Sequence, residues 1–193
     1  MSLGKQAKIL TPAQQKAVLN YLESSRQPER NKLIFLLSVK AGLRSKEIAS
    51  LQWSMVTNAE GEILDRIALP NSASKGKSGR IIWISQELQI ALREYRATFD
   101  EQPDLSRHII STERARKTSP QVITNWFWSH YRRLGFEGAS SHSGRRTAIT
   151  SWAKKISIVG GSLRDVQMLA GHTSLQMTQR YVEHDSEAQR RVV

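Results

Sequence analysis

The first fifty residues repeat apolar and polar positions with the period of α-helices. In "TPAQQKAVLNYLESS", Thr11 is a capping residue type, Pro12 suits a first helical turn, and Gln14 completes a capping-box pattern. The next segment, "PERNKLIFLLSVKAGLRS", is strongly apolar at its centre, and Gly42 is a residue type that ends helices. We predict two helices here, followed by a short third helix, "KEIASLQW", with Ser45 as its cap.

Two segments after Trp53, "ILDRIALP" and "GRIIWIS", are rich in β-branched residues, and the polar segment "NSASKGKSG" separates them. This pattern predicts an antiparallel hairpin with a flexible, basic tip. Helical periodicity then returns in "QELQIALREYRATF", "QVITNWFWSHYRRLG", "HSGRRTAITSWAKK", "LRDVQMLAG" and "LQMTQRYVEH". Serines suited to capping precede four of these segments: Ser85, Ser119, Ser162 and Ser174. The sequence therefore predicts a mainly α fold with a small antiparallel β-sheet, in the α+β class.

The length of 193 residues suits one domain, which we expect to span residues 11–183 between short tails at 1–10 and 184–193. We expect no separate N-terminal domain. No apolar run approaches the roughly 18 residues that a membrane span needs, and the first residues contain no signal-peptide segment. The absence of cysteine excludes disulfides and thiolate chemistry, and it is consistent with an intracellular protein.

The charge of the chain points to a polyanionic partner. Lysine and arginine number 29 against 17 acidic residues, which gives a formal net charge of +12. Nucleic acid is favoured over an anionic membrane, because the basic residues are scattered through folded-looking segments rather than gathered in one amphipathic helix or terminal cluster. A structural or interaction module with a basic surface would also explain this charge.

Several polar residues could carry chemistry, although each has an ordinary structural explanation when taken alone. Arg44 stands between a helix-ending glycine and a new helix, while Lys75 and Lys77 occupy the hairpin tip. His142 and Arg145 are three residues apart, so they share one face near the start of a helix, where backbone N–H groups favour anions.

The last two candidates are His172 and Tyr181. His172 follows a helix-ending glycine, and Tyr181 comes nine residues later. Other classes of site have no support, because the five histidines form neither HxH nor HExxH, "GKSG" lacks the spacing of a phosphate-binding loop, and no G-x-S-x-G is present. We expect neither a metal nor another cofactor.

Taken together and in order, these candidates resemble the active-site signature of the tyrosine recombinases, also called the phage-integrase family. The segments that carry the resemblance are "AGLRSKEIASLQW", "SKGKSGR", "HSGRRT" and "LAGHTSLQMTQRYV", which cover nearly the whole chain. "HSGR" and the glycine–histidine pair with its tyrosine are the most specific. There are two departures. Family members usually have an additional helical DNA-binding domain before the helix that here begins at Thr11, so the chain is expected to be either a catalytic fragment or a short single-domain member. The second departure is Arg146, where many members have a second histidine.

The resemblance implies DNA cleavage by attack of Tyr181 on a phosphodiester, without metal or ATP. Arg44 and Arg145 suit the negatively charged transition state, since a planar guanidinium binds two phosphate oxygens at once. A tyrosine hydroxyl has a pKa of about 10 and needs a base, for which His142 is the candidate.

The remaining roles come from the resemblance alone. Lys75 would protonate the departing 5′ oxygen, with Lys77 as its competitor, and His172 would donate a hydrogen bond to a phosphate oxygen. Glu47 would hold Arg44 in place without contacting the phosphate itself. DNA contacts are expected from three basic residues: Lys77, Arg80 and Arg146.

The resemblance implies a site-specific recombinase or integrase acting as a tetramer on two sites in double-stranded DNA. It suggests a cytoplasmic protein of bacterial or phage origin. Two alternatives stay open at this point. One is a DNA-relaxing enzyme like the type IB topoisomerases, and the other is a DNA-binding relative that has lost turnover.

Overall fold

The computed structural model describes residues 7–73, 79–101, 104–112 and 115–182. Within these ranges it contains eight α-helices and one two-stranded sheet. In chain order the elements are α1 (Pro12–Glu23), α2 (Pro28–Val39), α3 (Ser45–Ser50), β1 (Arg66–Leu69), β2 (Arg80–Trp83), α4 (Gln86–Arg96), α5 (Pro120–Arg133), α6 (Ser143–Ile156), α7 (Leu163–Ala170) and α8 (Leu175–Gln179).

Most helices begin where the sequence predicts. The capping box at α1 is complete, with the Thr11 hydroxyl accepting from Gln14 N at 3.2 Å and the Gln14 side chain accepting from Thr11 N at 3.0 Å. The predicted serines occupy the cap positions of four later helices: Ser85, Ser119, Ser162 and Ser174. The prediction for α3 is wrong by one residue, because Arg44 is the cap and Ser45 is the first helical residue. The Glu47 carboxylate, which accepts from Arg44 N at 2.9 Å, fixes this start.

The predicted antiparallel pairing of the two strands is confirmed. Strands β1 and β2 pair antiparallel, with Arg66 opposite Trp83 and Leu69 opposite Arg80. Side chains alternate between core and surface, so that Ile82 is buried while Trp83 is 60% exposed. The predicted tip residues Lys75 and Lys77 lie outside the described residues.

The core is built around α2. Its central residues, 33–37, are almost completely buried, because α2 packs against α1, α4 and α6 on different sides. A smaller apolar cluster around Ile149 and Val166 joins α6 to α7, and Tyr181 packs against its edge. Among the described residues, no helix combines the length and apolarity needed to cross a bilayer.

Two glycines allow α6 to approach the end of α2. A Cβ on Gly144 would overlap the Ser38 side chain, so only glycine fits at this crossing. Gly42 has φ +63°, a conformation that L side chains rarely adopt, and a Cβ there would lie 2.8 Å from the Trp152 ring. The close approach brings the first turn of α6 against the loop that carries Arg44.

The last helix is shorter than the sequence predicts. The pattern predicts a helix through His184, but α8 ends at Gln179 and Tyr181 lies in the turn that follows. The N–H groups of Tyr181 and Val182 donate to carbonyls three residues earlier, at 2.9 and 3.1 Å, so the chain tightens instead of continuing as an α-helix. His184 lies outside the described residues.

Candidate active site

Arg145 is the buried centre of the site. It lies on the first turn of α6 and is only 3% exposed. Its Nη1 donates to Gly42 O at 2.6 Å and its Nη2 donates to Ala170 O at 2.7 Å. Ala170 is the last residue of α7, where a helix attracts a cation, and Gly42 lies in the loop after α2. Burial, followed by the charge of Arg44, lowers the pKa of Arg145 to about 10, so the guanidinium remains charged at neutral pH.

His172 contacts Arg145 directly. Its Nε2 lies 3.1 Å from Arg145 Nη2, and its Nδ1 lies 3.0 Å from Thr178 Oγ1. Because a guanidinium has no acceptor, Nε2 must accept here, which places the proton on Nδ1 and makes Thr178 its acceptor. Burial and the charges of Arg145, Arg44 and Arg80 lower the pKa of His172 to about 4. The imidazole is therefore neutral at neutral pH.

Arg44 is held by a buried carboxylate. Glu47 is completely buried, and its Oε1 accepts from Arg44 Nη1 at 2.8 Å. The Arg44 side chain remains 20% exposed, so its guanidinium faces both the carboxylate and the surface. Burial alone would raise the pKa of Glu47, but the hydrogen bonds and charges of Arg80 and Arg44 together hold this pKa below its usual value. Glu47 is therefore ionised at neutral pH.

Tyr181 lies beside His172 at the end of the described chain. The two rings are stacked with their centroids 5.3 Å apart. The Tyr181 carbonyl accepts from the Thr150 hydroxyl at 3.1 Å, and its N–H donates to Thr178 O at 2.9 Å. Two threonines on different helices therefore fix the backbone that carries the tyrosine.

An open cleft of about 220 Å³ lies at this point of the surface. Its lining is rich in basic and titratable side chains, namely His142, Arg145, Arg146, Arg180 and Tyr181, together with Ala7. His142 is exposed at the start of α6, and Arg146 donates to Ala7 O at 3.0 Å. The cleft has the charge and position to receive one phosphate group of a larger polyanion.

The fold thus brings together predicted residues that are far apart in sequence. Arg44 pairs with Glu47, and Arg145, His172 and Tyr181 contact one another in turn. The charges of Arg44 and Glu47 act on Arg145, and His142 and Arg146 share the cleft with Tyr181. Two further site residues, Thr178 and Arg180, carry no sequence signal beyond their distance from Tyr181. Lys75 and Lys77 lie outside the described residues, so the assignment of a general acid stays a prediction.

Arg80 is the predicted residue whose surroundings differ most from the expectation. Its side chain is only 6% exposed, and its guanidinium donates to Glu47 at 3.0 and 3.2 Å. Unlike Arg145, Arg80 does not line the cleft beside Tyr181, and all three of its guanidinium nitrogens donate to groups of the protein. The placement does not favour the DNA contact that the resemblance implies for Arg80.

The sequence matches the phage integrase family over residues 8–188. The chain belongs to this family. Tyrosine recombinase XerA of Thermococcus kodakarensis is 29% identical over 189 residues, a match that covers 94% of this chain and 61% of that protein. Tyrosine recombinase XerC of Thermodesulfovibrio yellowstonii is 27% identical over 169 residues, covering 81% of this chain and 51% of that protein. The chain therefore spans only part of the length of these relatives.

Solved structures of family members share the fold. The crystal structure of XerA recombinase superposes with a TM-score of 0.70 at 22% identity, covering 97% of this chain and 64% of that chain. The Tn1549 transposon integrase in complex with a circular intermediate DNA gives 0.74 at 17% identity, covering 100% of this chain and 67% of that one. The predicted family and fold class, mainly α with a small antiparallel sheet, are confirmed.

Proposed function

We propose that this chain is the catalytic domain, over residues 11–183, of a site-specific DNA recombinase that works through a 3′-phosphotyrosyl intermediate. The observation that carries the proposal is the contact of Tyr181 and Arg145 with the same histidine: the Tyr181 ring stacks on His172, and Arg145 lies 3.1 Å from its Nε2. Tyr181 and Arg145 line one cleft and the neutral His172 contacts both of them. A nucleophile, a cation and a neutral hydrogen-bonding group are thereby brought together, which is the combination that phosphoryl transfer without a metal requires.

The charged groups would stabilise the transition state. Negative charge grows on the non-bridging oxygens as the phosphorus becomes five-coordinate, and the positive charges of Arg44 and Arg145 can stabilise it. Arg145 is already fixed by two carbonyls, so little reorganisation is needed when the phosphate arrives. In the phosphate-bound state His172 would carry its proton on Nε2 and donate it to a phosphate oxygen.

The covalent step balances without a cofactor. The Tyr181 hydroxyl oxygen forms a bond to phosphorus while the bond from phosphorus to the 5′ oxygen breaks. His142 accepts the tyrosine proton, and Lys75 or Lys77 gives a proton to the departing oxygen. The products are a 3′-phosphotyrosyl protein and a free 5′-hydroxyl. Attack by a 5′-hydroxyl from another strand reverses these bond changes and rejoins the DNA.

The complete reaction would need more than one protomer. Exchange between two duplexes requires four strand cleavages, and we propose a tetramer on two double-stranded sites. Support comes from related structures, which include the XerH recombinase bound to its difH substrate and a lambda integrase dimer bound to a core site.

Because DNA is the substrate, we place the protein in the cytoplasm of a bacterial, archaeal or phage-infected cell; the relatives include archaeal proteins.

A suicide-substrate assay tests this function and finds the target site in the same experiment. A pool of duplexes with randomised flanks and a nick next to the central step is incubated with wild type and with Tyr181→Phe. Release of the short nicked fragment traps any covalent complex, which a denaturing gel separates from unmodified protein. Sequencing the trapped DNA then identifies the site.

We expect trapped protein–DNA complexes with wild type and none with Tyr181→Phe, although both proteins bind the duplex equally. Binding by wild type without any trapped complex would contradict catalysis and favour a DNA-binding relative. Trapping that persists in Tyr181→Phe would assign the chemistry to a different nucleophile.

A further inference from the structure

Arg80 is a buried cation to which the proposed chemistry gives no task. It begins β2, where it follows the hairpin tip, and its side chain is 6% exposed. All three guanidinium nitrogens donate hydrogen bonds: Nε to Leu169 O at 2.9 Å, Nη1 to Glu47 Oε1 at 3.0 Å and Nη2 to Glu47 Oε2 at 3.2 Å. These hydrogen bonds fix the guanidinium in one position between Glu47 and the end of α7.

One carboxylate is shared by two arginines. Glu47 Oε1 accepts from both Arg80 and Arg44, and Oε2 accepts from Arg80 and from Arg44 N. The charges of the three side chains sum to one positive charge. If Arg80 were neutral, the buried carboxylate would cancel the charge of Arg44, and an incoming phosphate would meet a neutral pair.

Arg80 also holds the turn that carries His172. Arg80 donates a hydrogen bond to Leu169 O, and Arg145 donates one to the next carbonyl, Ala170 O. Two guanidiniums therefore stabilise the end of α7. The following residue, Gly171, has φ +61°, and a Cβ there would lie 3.0 Å from Arg80 Cδ and Nη1. Because Gly171 has no side chain, the Arg80 side chain can occupy this space.

We propose that Arg80 is a positioning residue that neutralises Glu47, so that Arg44 remains available to the scissile phosphate, and that fastens the His172 turn. The proposal rests on the proposed function. It replaces direct DNA contact with an action through Arg44 and His172. Such a role predicts that the effect of losing Arg80 depends on the charge of residue 47.

Cleavage rates of four variants test this dependence in the trapping assay, under single-turnover conditions. Arg80→Gln should cleave about 100-fold more slowly than wild type, with DNA affinity within about threefold, because the loss concerns transition-state charge. The double variant Glu47→Gln/Arg80→Gln should regain at least about tenfold, because it has no carboxylate to neutralise. Arg80→Lys keeps the charge and should stay within about tenfold of wild type.

Arg66→Gln is the matched control, since it removes one arginine from the same hairpin. The Arg66 side chain is 42% exposed on β1 and pairs with Asp65, and its loss should leave cleavage within about threefold. The proposal is overturned if Arg80→Gln cleaves at the wild-type rate, if the double variant is no faster than Arg80→Gln, or if Arg80→Lys is as slow as Arg80→Gln.

A second measurement needs neither DNA nor catalysis. The His172 ring protons are followed by NMR through a pH titration of the four variants. Arg80→Gln should move the His172 midpoint upward from its wild-type value, because a nearby cation is lost, while Arg66→Gln leaves it unchanged. An unchanged midpoint in Arg80→Gln overturns the proposal even if wild type cleaves DNA. A shifted midpoint with no cleavage by wild type would count against the proposed function alone.

Discussion

At the scale of single residues, His172 couples the site to the stability of the fold. Its hydrogen-bond partners are a cation and a hydroxyl, and burial and the nearby cations lower its pKa to about 4 from an ordinary value of 6.5. Between these two values the unfolded chain binds a proton that the folded protein excludes. The contribution of this group to stability is therefore complete above pH 6.5 and is lost as the pH falls towards 4.

We expect wild type to lose about 2 kcal/mol more unfolding free energy than His172→Gln when the pH falls from 7 to 5. Urea unfolding of both proteins at the two pH values measures this difference. His108 and His130 also have lowered pKa values, but they are present in both proteins, and their contributions cancel. Equal losses in the two proteins would show that His172 is not shielded from protons as the structure implies.

The role of the Thr178 hydroxyl depends on which ring nitrogen of His172 carries the proton. In the structure its hydroxyl accepts from His172 Nδ1, whereas a phosphate in the cleft would require the imidazole proton on Nε2. A hydroxyl can both accept and donate, so Thr178 can stay bonded to His172 in both tautomers. Valine has the same shape but cannot do so.

We expect Thr178→Val to slow trapping of the covalent complex about 30-fold and Thr178→Ser to remain within about threefold of wild type, in line with the loss of one hydrogen bond to a residue of the proposed site. Imidazole ¹⁵N shifts report the tautomer in each protein. Equal rates for the valine and serine variants would show that the Thr178 hydroxyl has no part in the chemistry.

At the scale of secondary-structure elements, the crossing of α6 over α2 sets the position of Arg145. Gly144 precedes Arg145 and leaves no space for a Cβ against Ser38. A methyl group there would push the first turn of α6 away from α2, and the Arg145 bond to Gly42 O would lengthen.

We expect Gly144→Ala to lower the unfolding free energy by about 2 kcal/mol and to reduce cleavage at least about tenfold. Gly135→Ala is the control: Gly135 has φ +69° and open space around it, so its substitution should cost about 1 kcal/mol through backbone strain alone and leave cleavage unchanged. Urea unfolding and the trapping assay measure both effects. A Gly144→Ala protein with normal cleavage would refute the link between this crossing and the site.

Local signals are the part of the fold that could be predicted. Capping serines, Gly42 and Gly171 are signals that lie within a few residues of the helix boundaries they mark. The β-branched residues of the hairpin mark its strands in the same way. The early end of α8 could not be predicted, because hydrogen bonds to Thr150 and Thr178 shape that turn. The burial of Arg80 could not be predicted either, because its partner Glu47 is 33 residues away and a pairing over that distance does not appear in the periodicity of the sequence.

At the scale of the whole molecule, the net charge of +12 should dominate binding to DNA. The sequence alone indicates a polyanionic partner, and the structure adds a cleft lined by three arginines, Arg145, Arg146 and Arg180. Counter-ions released from the DNA make such binding weaken as salt is added.

We expect the logarithm of the binding constant for duplex DNA to fall with the logarithm of the salt concentration with a slope of about −5, as for a protein that neutralises roughly six phosphates. Arg146→Gln should reduce the slope by about one if Arg146 contacts a phosphate, while Arg93→Gln, an exposed change on α4, should not alter it. Fluorescence anisotropy at several salt concentrations gives the slopes. A slope near zero would contradict electrostatic binding.

The most direct test of the proposed chemistry identifies the residue that carries the DNA. Trapped complexes from the nicked substrate pool are digested with nuclease and protease, and the nucleotide-linked peptide is sequenced by mass spectrometry. We predict a single 3′-nucleotide linked through phosphate to Tyr181, and no such peptide from Tyr181→Phe. A nucleotide on any other residue, or duplex binding by wild type with no linked peptide, would contradict the proposed role of Tyr181.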